Sequence, residues 1–218
     1  MLSRLLSLLV LLGMILSTSA ARATTPGPYL ELAGSGTWLA DSENQSDTGH
    51  FNATYVGGLG GGVALGYDFV DLHPAIGKGR VELEFASRRG SVDTLDFAEG
   101  RLPASGDIKI TSVMFNTIAD YHDNSRLVPY VSFGFGYAEV AIDQISPMGV
   151  PFVAASKDGV FACQVGAGLG VELGNHLAVD LGYRYFGSER PKFKLVDGSS
   201  FEGQVGSHNV LLGLRYKF

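Results

Sequence analysis

From Asn209 to Phe218 the chain alternates strictly. Val210, Leu212, Leu214, Tyr216 and Phe218 fall on one face, and Asn209, Leu211, Gly213, Arg215 and Lys217 on the other. A period of two is the pattern of a β-strand with one face against an apolar medium. Seven further segments repeat it. Leu177, Val179, Leu181, Tyr183 and Tyr185 oppose Ala178, Asp180, Gly182 and Arg184, and Val165 to Leu173 at odd positions oppose Gln164, Gly166, Gly168, Gly170 and Glu172. Val131, Phe133, Phe135 and Tyr137 oppose Ser132, Gly134, Gly136 and Ala138. Leu59, Val63, Leu65, Tyr67 and Phe69 oppose Gly60, Gly62, Ala64, Gly66 and Asp68. The pattern is looser in Leu30, Leu32 and Trp38 against Glu31, Ala33 and Thr37, and in Val81, Leu83 and Phe85 against Glu82, Glu84 and Ala86. It is weakest over 111–121, where Met114 and Ile118 blur the polar face of Ser112, Asn116 and Asp120.

Which face is interior follows from residue size. Large apolar side chains gather on one face and end in aromatics, while the other carries glycine, alanine and scattered charges. A soluble sandwich turns its bulky face inward, and glycine-rich strands offer little to pack there. A narrow transmembrane barrel reverses the arrangement: bulky residues meet lipid, aromatics form girdles at the headgroups, and small residues share a cramped lumen. The girdle residues on this reading are Tyr67, Phe69, Tyr183, Tyr185, Tyr216 and Phe218.

Spacing agrees. The links 41–53, 91–107, 143–157 and 188–202 are long and polar, save for the apolar stretch Pro147 to Ala155, which reads as a contact patch or a stiff hairpin tip. The links 70–78 and 122–126 and the Gly174-Asn175 turn are short, matching extracellular loops and periplasmic turns. In lipid every backbone polar group must be paired, so the strands must close. The expected fold is all-β: an eight-stranded antiparallel up-and-down transmembrane β-barrel with both termini periplasmic and the long loops extracellular.

The N-terminus adds the compartment. Arg4 precedes an apolar run, Leu5 to Leu16, too short to span a bilayer and followed by small residues, which reads as a secretory signal peptide. Ala21-Arg22-Ala23 fits the small-x-small rule, so the expected mature start is Thr24, with Ala20 as the competing cut. The domains are then 1–23, signal peptide, and 24–218, barrel. Removing residues 1–23 takes away Arg4 and Arg22 and no acid, moving the formal charge from −6 to −8. Nucleic acid is not an expected partner. The single cysteine, Cys163, cannot form an intrachain disulfide and reads as a small apolar strand residue.

These segments carry a resemblance. Val128-Pro129-Tyr130-Val131-Ser132-Phe133-Gly134-Phe135-Gly136-Tyr137, the 166–173 and Gly182-Tyr183-Arg184-Tyr185 hairpin, and the terminal Leu212, Leu214, Tyr216, Phe218 series resemble the small outer-membrane β-barrel proteins grouped with the OmpA-type barrel, the opacity-type adhesins and porin-like surface antigens. The resemblance implies an outer-membrane location in a Gram-negative-type bacterium. It also implies that Leu212, Leu214, Tyr216 and Phe218 form the signal read by the barrel-assembly machinery. Fold analogy carries location better than activity.

Candidate chemistry lies in the lumen and the loops. The lumen face holds Glu31, Glu82, Glu84, Glu172, Asp180, Arg184, Arg215 and Lys217. Closure sets the first strand beside the last, so Asp180, Arg215 and Glu31, with Lys217, are expected to cluster. Such a cluster is either a gate or a plug of paired charges, and eight strands leave an interior that side chains roughly fill, which favours the plug. No catalytic set is expected, because Ser207 and His208 are adjacent on a strand and point to opposite faces. No histidine or acidic spacing suggests a metal or other cofactor. Function is then expected in the loops, on a surface scaffold of the cell envelope that engages host or surface ligands. A narrow low-conductance pore is the alternative, and a lipid-modifying enzyme a more distant one.

Overall fold

The computed structural model describes residues 26–46, 49–69, 78–97, 100–122 and 125–218. The segment expected to be a signal peptide, with Ala21, Ala23 and Thr24, and positions 70–77 of the first short link lie outside the described residues. Eight strands form the wall: β1 (Gly27–Leu39), β4 (Gly58–Asp68), β5 (Lys78–Phe97), β7 (Asp107–Asp120), β8 (Leu127–Ile142), β10 (Ser156–Glu172), β11 (Leu177–Ser188) and β14 (Gly206–Lys217). Each pairs antiparallel with its neighbours in chain order, and β1 joins β14 through Tyr29↔Lys217 to Leu39↔Ser207. The ring has no free edge in the bilayer, so the backbone polar groups of the wall are satisfied without water.

The four long links depart from the sequence reading. They hold six further strands: β2 (Ser42–Ser46), β3 (Gly49–Val56), β6 (Gly100–Ser105), β9 (Ser146–Pro147), β12 (Lys192–Lys194) and β13 (Ser200–Gly203). Starting from β12, pairing runs through β13, β2, β3, the upper part of β5, β6 and β9. It returns through the bridges Ile145↔Val153 and Val153↔Leu195. The result is a second, smaller ring, a crown standing on the extracellular end. Strand β5 has 20 residues, about twice the roughly 9–11 that cross a bilayer.

Wall and crown use the same strands with opposite polarity. In β8, Phe133, Phe135 and Tyr137 face lipid, but beyond them Glu139 faces outward and Val140 and Ile142 turn inward. In β7, Val113 and Phe115 face lipid while, toward the crown, Lys109 is outward and Ile108 and Ile110 are inward. The reason is the medium: outside the bilayer the burial of apolar area favours the inside again. The inward residues merge into one core that includes Leu39, Phe51, Leu95, Ile145, Val153, Phe186, Phe193 and Phe201. Phe51 stacks on Phe97 at 5.9 Å and meets Phe152 and Phe201 edge-on at 5.6 and 5.3 Å.

Met114 and Ile118, which weaken the pattern over 111–121, are buried in the interior, so β7 alternates cleanly in exposure. The apolar segment 147–155 divides. Pro147 to Val150 is a hairpin tip closed by the Val150 N–H donating to the Pro147 carbonyl at 2.9 Å, with Met148 at φ 49 and Gly149 at φ 80. Two left-handed central residues define a type I′ turn, which suits Gly149 and strains Met148. Val153 is fully buried below it.

Cys163 lies on the exposed outer face of β10, paired with Phe135 and Gly187. In lipid vesicles it is expected to react with a lipophilic maleimide at least tenfold faster than with a charged one. Equal rates would place it outside the bilayer.

Candidate functional site

Alternation sends every second side chain into the barrel, and the lumen they fill has two levels. The periplasmic level is polar. The Arg80 guanidinium donates to Asp120 at 2.8 and 3.0 Å and lies 4.0 Å from Asp180. Asp180 accepts two bonds from Arg215 at 3.0 and 3.4 Å. Arg80 also sits over the rings of Tyr29 and Tyr130, at 5.9 and 5.3 Å from their centroids. Tyr29 donates to Glu82 at 2.7 Å, Arg184 donates to Glu84, and Lys217 donates to Asp68 at 2.7 Å. The Asn116 amide nitrogen donates to Glu84 at 3.2 Å while its oxygen accepts from Gln164 at 2.7 Å. Arg80, Asp180 and Glu82 are almost wholly buried. Buried charges survive where they are paired or hydrogen-bonded: Arg80 and Asp180 are ion-paired, and Glu82 accepts from Tyr29 and Asn116.

Of the four residues the sequence groups, the structure brings Arg215 onto Asp180 and does not bring Lys217. Lys217 lies two residues beyond Arg215 on the same face of β14, opposite Tyr29, and there meets Asp68 from β4. Glu31 faces inward against Gly213, in register with Arg215, but makes no ion pair among the described residues. Glu172 sits at the periplasmic end, 3.9 Å from His122. Sequence reasoning missed Arg80 and Arg88, although both share the parity of Glu82 and Glu84 in β5. It also missed Tyr29 and Tyr130, whose rings occupy space left by Gly66 and by Gly168 and Gly182.

Toward the crown the lumen turns apolar. Arg88 closes the polar level with its guanidinium 4.3 Å from the Phe186 ring centroid. Beyond it Leu95, Ile110, Val140, Val153 and Phe186 are each 0% exposed. A cavity of about 30 Å³ bounded by Glu31, Glu84, Arg88, Arg184 and Asn209 has room for about two waters. In the crown surface, Arg101 donates to Asp96 at 2.6 and 2.9 Å and holds that carboxyl below its ordinary range.

The outer face places the aromatics at two levels. Tyr67 and Phe69, with rings 5.0 Å apart, and Tyr216 and Phe218, 5.5 Å apart, lie at the periplasmic end. Tyr183 and Tyr185 lie farther up, where Tyr183 bonds His208 at 2.6 Å. Ser207 points inward to Asn209 and His208 outward, so the two do not converge. No group of three or more metal-ligating side chains occurs among the described residues.

An antiparallel ring of eight strands, bulky and apolar outside and ionic within, is a transmembrane β-barrel. The chain belongs to the outer membrane protein β-barrel domain family, whose model matches residues 7–218. It is 27% identical over 179 residues to outer membrane protein PagN of Salmonella typhimurium, covering 74% of each chain. Its fold is similar to neisserial surface protein A (TM-score 0.54, 18% identity, 89% of this chain and 99% of that one). It is also similar to OprG of Pseudomonas aeruginosa (TM-score 0.57, 15% identity, 90% and 99%). The protein is an integral outer-membrane β-barrel, with the crown at the opposite end of the wall from the start of β1 and the end of β14.

Proposed function

We propose that the protein is a non-conducting surface scaffold that binds host or surface ligands through its crown, without turnover. One observation carries this reading: above the charged level the described interior is dominated by an apolar core that runs from Phe186 up to Val153. A hydrophobic constriction excludes water and the ions that need it. The hydrogen-bonded frame of the crown supports the binding role, since exposed connections held on a fixed scaffold are where recognition concentrates.

Reconstituted in planar bilayers, the protein is expected to be electrically silent at physiological salt. Steady unit currents that change on Glu31→Gln or Arg215→Gln would replace this reading with a narrow pore. The outward placement of Leu212, Leu214, Tyr216 and Phe218 also supports their recognition by the barrel-assembly machinery, because an outward row is accessible to a partner before the barrel closes.

A further inference from the structure

The outer wall has a defect where β3 meets β4. Val56 pairs with Ser91 and Gly60 with Arg88, so residues 57, 58 and 59 face only residues 89 and 90 of β5, which is a bulge. Val56 and Gly57 both turn outward there, and a Cβ on Gly58 would collide with the Arg89 carbonyl. Bulges recur at barrel rims, where they re-aim side chains. Beside this one Gly58, Gly60 and Gly61 flank the exposed side chain of Leu59, and an open groove of about 600 Å³ runs past them and Ser87 to Arg89 and Lys109.

Arg89 and Lys109 are directly opposite each other in the β5–β7 register, both exposed on the outer face. Like charges in that position repel. Neither has an ion pair among the described residues, although two carboxylates are close in register. Asp107 accepts a bond from Ser91 at 2.7 Å, and Glu139 is paired with Lys157 at 2.9 Å. The two cations sit where the outward row changes from Leu83 and Phe85 to Ser87 and Arg89, at the upper edge of the lipid-facing band.

We infer that this groove is a binding site for a phosphate-bearing lipid of the outer leaflet, with the phosphate bridging Arg89 and Lys109 and an acyl chain lying along the glycine wall. A phosphate relieves the repulsion by offering acceptors to both donors, and arginine meets it bidentately. The apolar side of the groove argues for a lipid over a free ion as the occupant: the exposed Leu59 lines it, and the outward row below continues through Val63 and Leu65.

Trp38, the single tryptophan, lies over Gly57 at the rim of the bulge and reports on the groove. The refolded full chain in zwitterionic detergent would be titrated with diphosphorylated lipid A, reading Trp38 emission and lipid adducts by native mass spectrometry. Saturable binding is expected, weakened at least tenfold in Arg89→Gln/Lys109→Gln, retained in Arg89→Lys/Lys109→Arg, and unchanged within twofold in Lys157→Gln. Equal binding by the double glutamine variant, or the same loss in Lys157→Gln, would overturn the site. Dephosphorylated lipid is expected not to bind. Millimolar inorganic phosphate is expected not to displace the lipid; full displacement would assign the cation pair to a free anion and overturn the lipid. Both residues are exposed, so heat-modifiable gel migration of the variants is expected to match the parent.

Discussion

Arg80→Met is expected to destabilise the folded barrel by about 3–5 kcal/mol, the range for breaking a buried ion pair and stranding its partner. Arg80 is the hub of the polar level: it neutralises Asp120, lies near Asp180, and sits between the rings of Tyr29 and Tyr130. Removing it leaves Asp120 buried and uncompensated, while Asp180 keeps Arg215. Adding Asp120→Asn to Arg80→Met is therefore expected to recover a large part of the loss. Reversible urea unfolding in lipid vesicles would measure all three variants. Strict additivity of the two single changes would show that the pair is not coupled.

The second large effect is steric. Gly168→Val is expected to lower the yield of folded, heat-modifiable barrel more than tenfold, because the Tyr130 ring already occupies the position of the added side chain. Tyr130 cannot escape toward β11, since Gly182 is the opposite wall of the same slot, where a Cβ would stand 2.5 Å from the Tyr130 hydroxyl. Overpacking a filled interior typically costs about 1–3 kcal/mol and more where no rotamer accommodates it. Combining Gly168→Val with Tyr130→Ala is expected to restore folding. Gly34→Ala is the control: nothing lies within 4 Å of its added methyl, and folding should be unchanged. Normal assembly of Gly168→Val alone would show that Tyr130 does not need that slot.

These glycines explain what in the sequence was readable. A face of Gly166, Gly168 and Gly170 says that the interior is tight, and bulky residues on the other face say that lipid is outside. Strand number, closure and orientation follow from those two facts and the long-short rhythm of links. Neither fact says which side chains fill the space a glycine leaves, because Tyr29 and Tyr130 reach it from neighbouring strands. Alternation gives parity within one strand, and packing joins several.

The crown was hidden for a different reason. Its strands are short, and a reading tuned to bulky-outward alternation sees residues such as Glu139 and Lys109 as the end of a strand. They are the point where the strand leaves the lipid. The inward apolar residues Phe51, Leu95, Phe193 and Phe201 carry the signal, dispersed over three links that look polar. The charged cluster was half legible for a related reason. Arg215 and Asp180 face each other from adjacent strands, whereas the partner of Lys217 comes from β4, reached across β1.

A crown built from continued strands has a consequence for how its surface can diversify. A free loop can change at any position and can change length. Here a substitution at Phe51, Leu95 or Val153 strikes the core, whereas the residues beside them are free to vary. Within the paired strands of the crown diversity is confined to alternate positions of the pleat, and only tips such as Met148 to Val150 escape that restriction. Whatever reads this protein from outside therefore meets a relief that changes mainly on every second step.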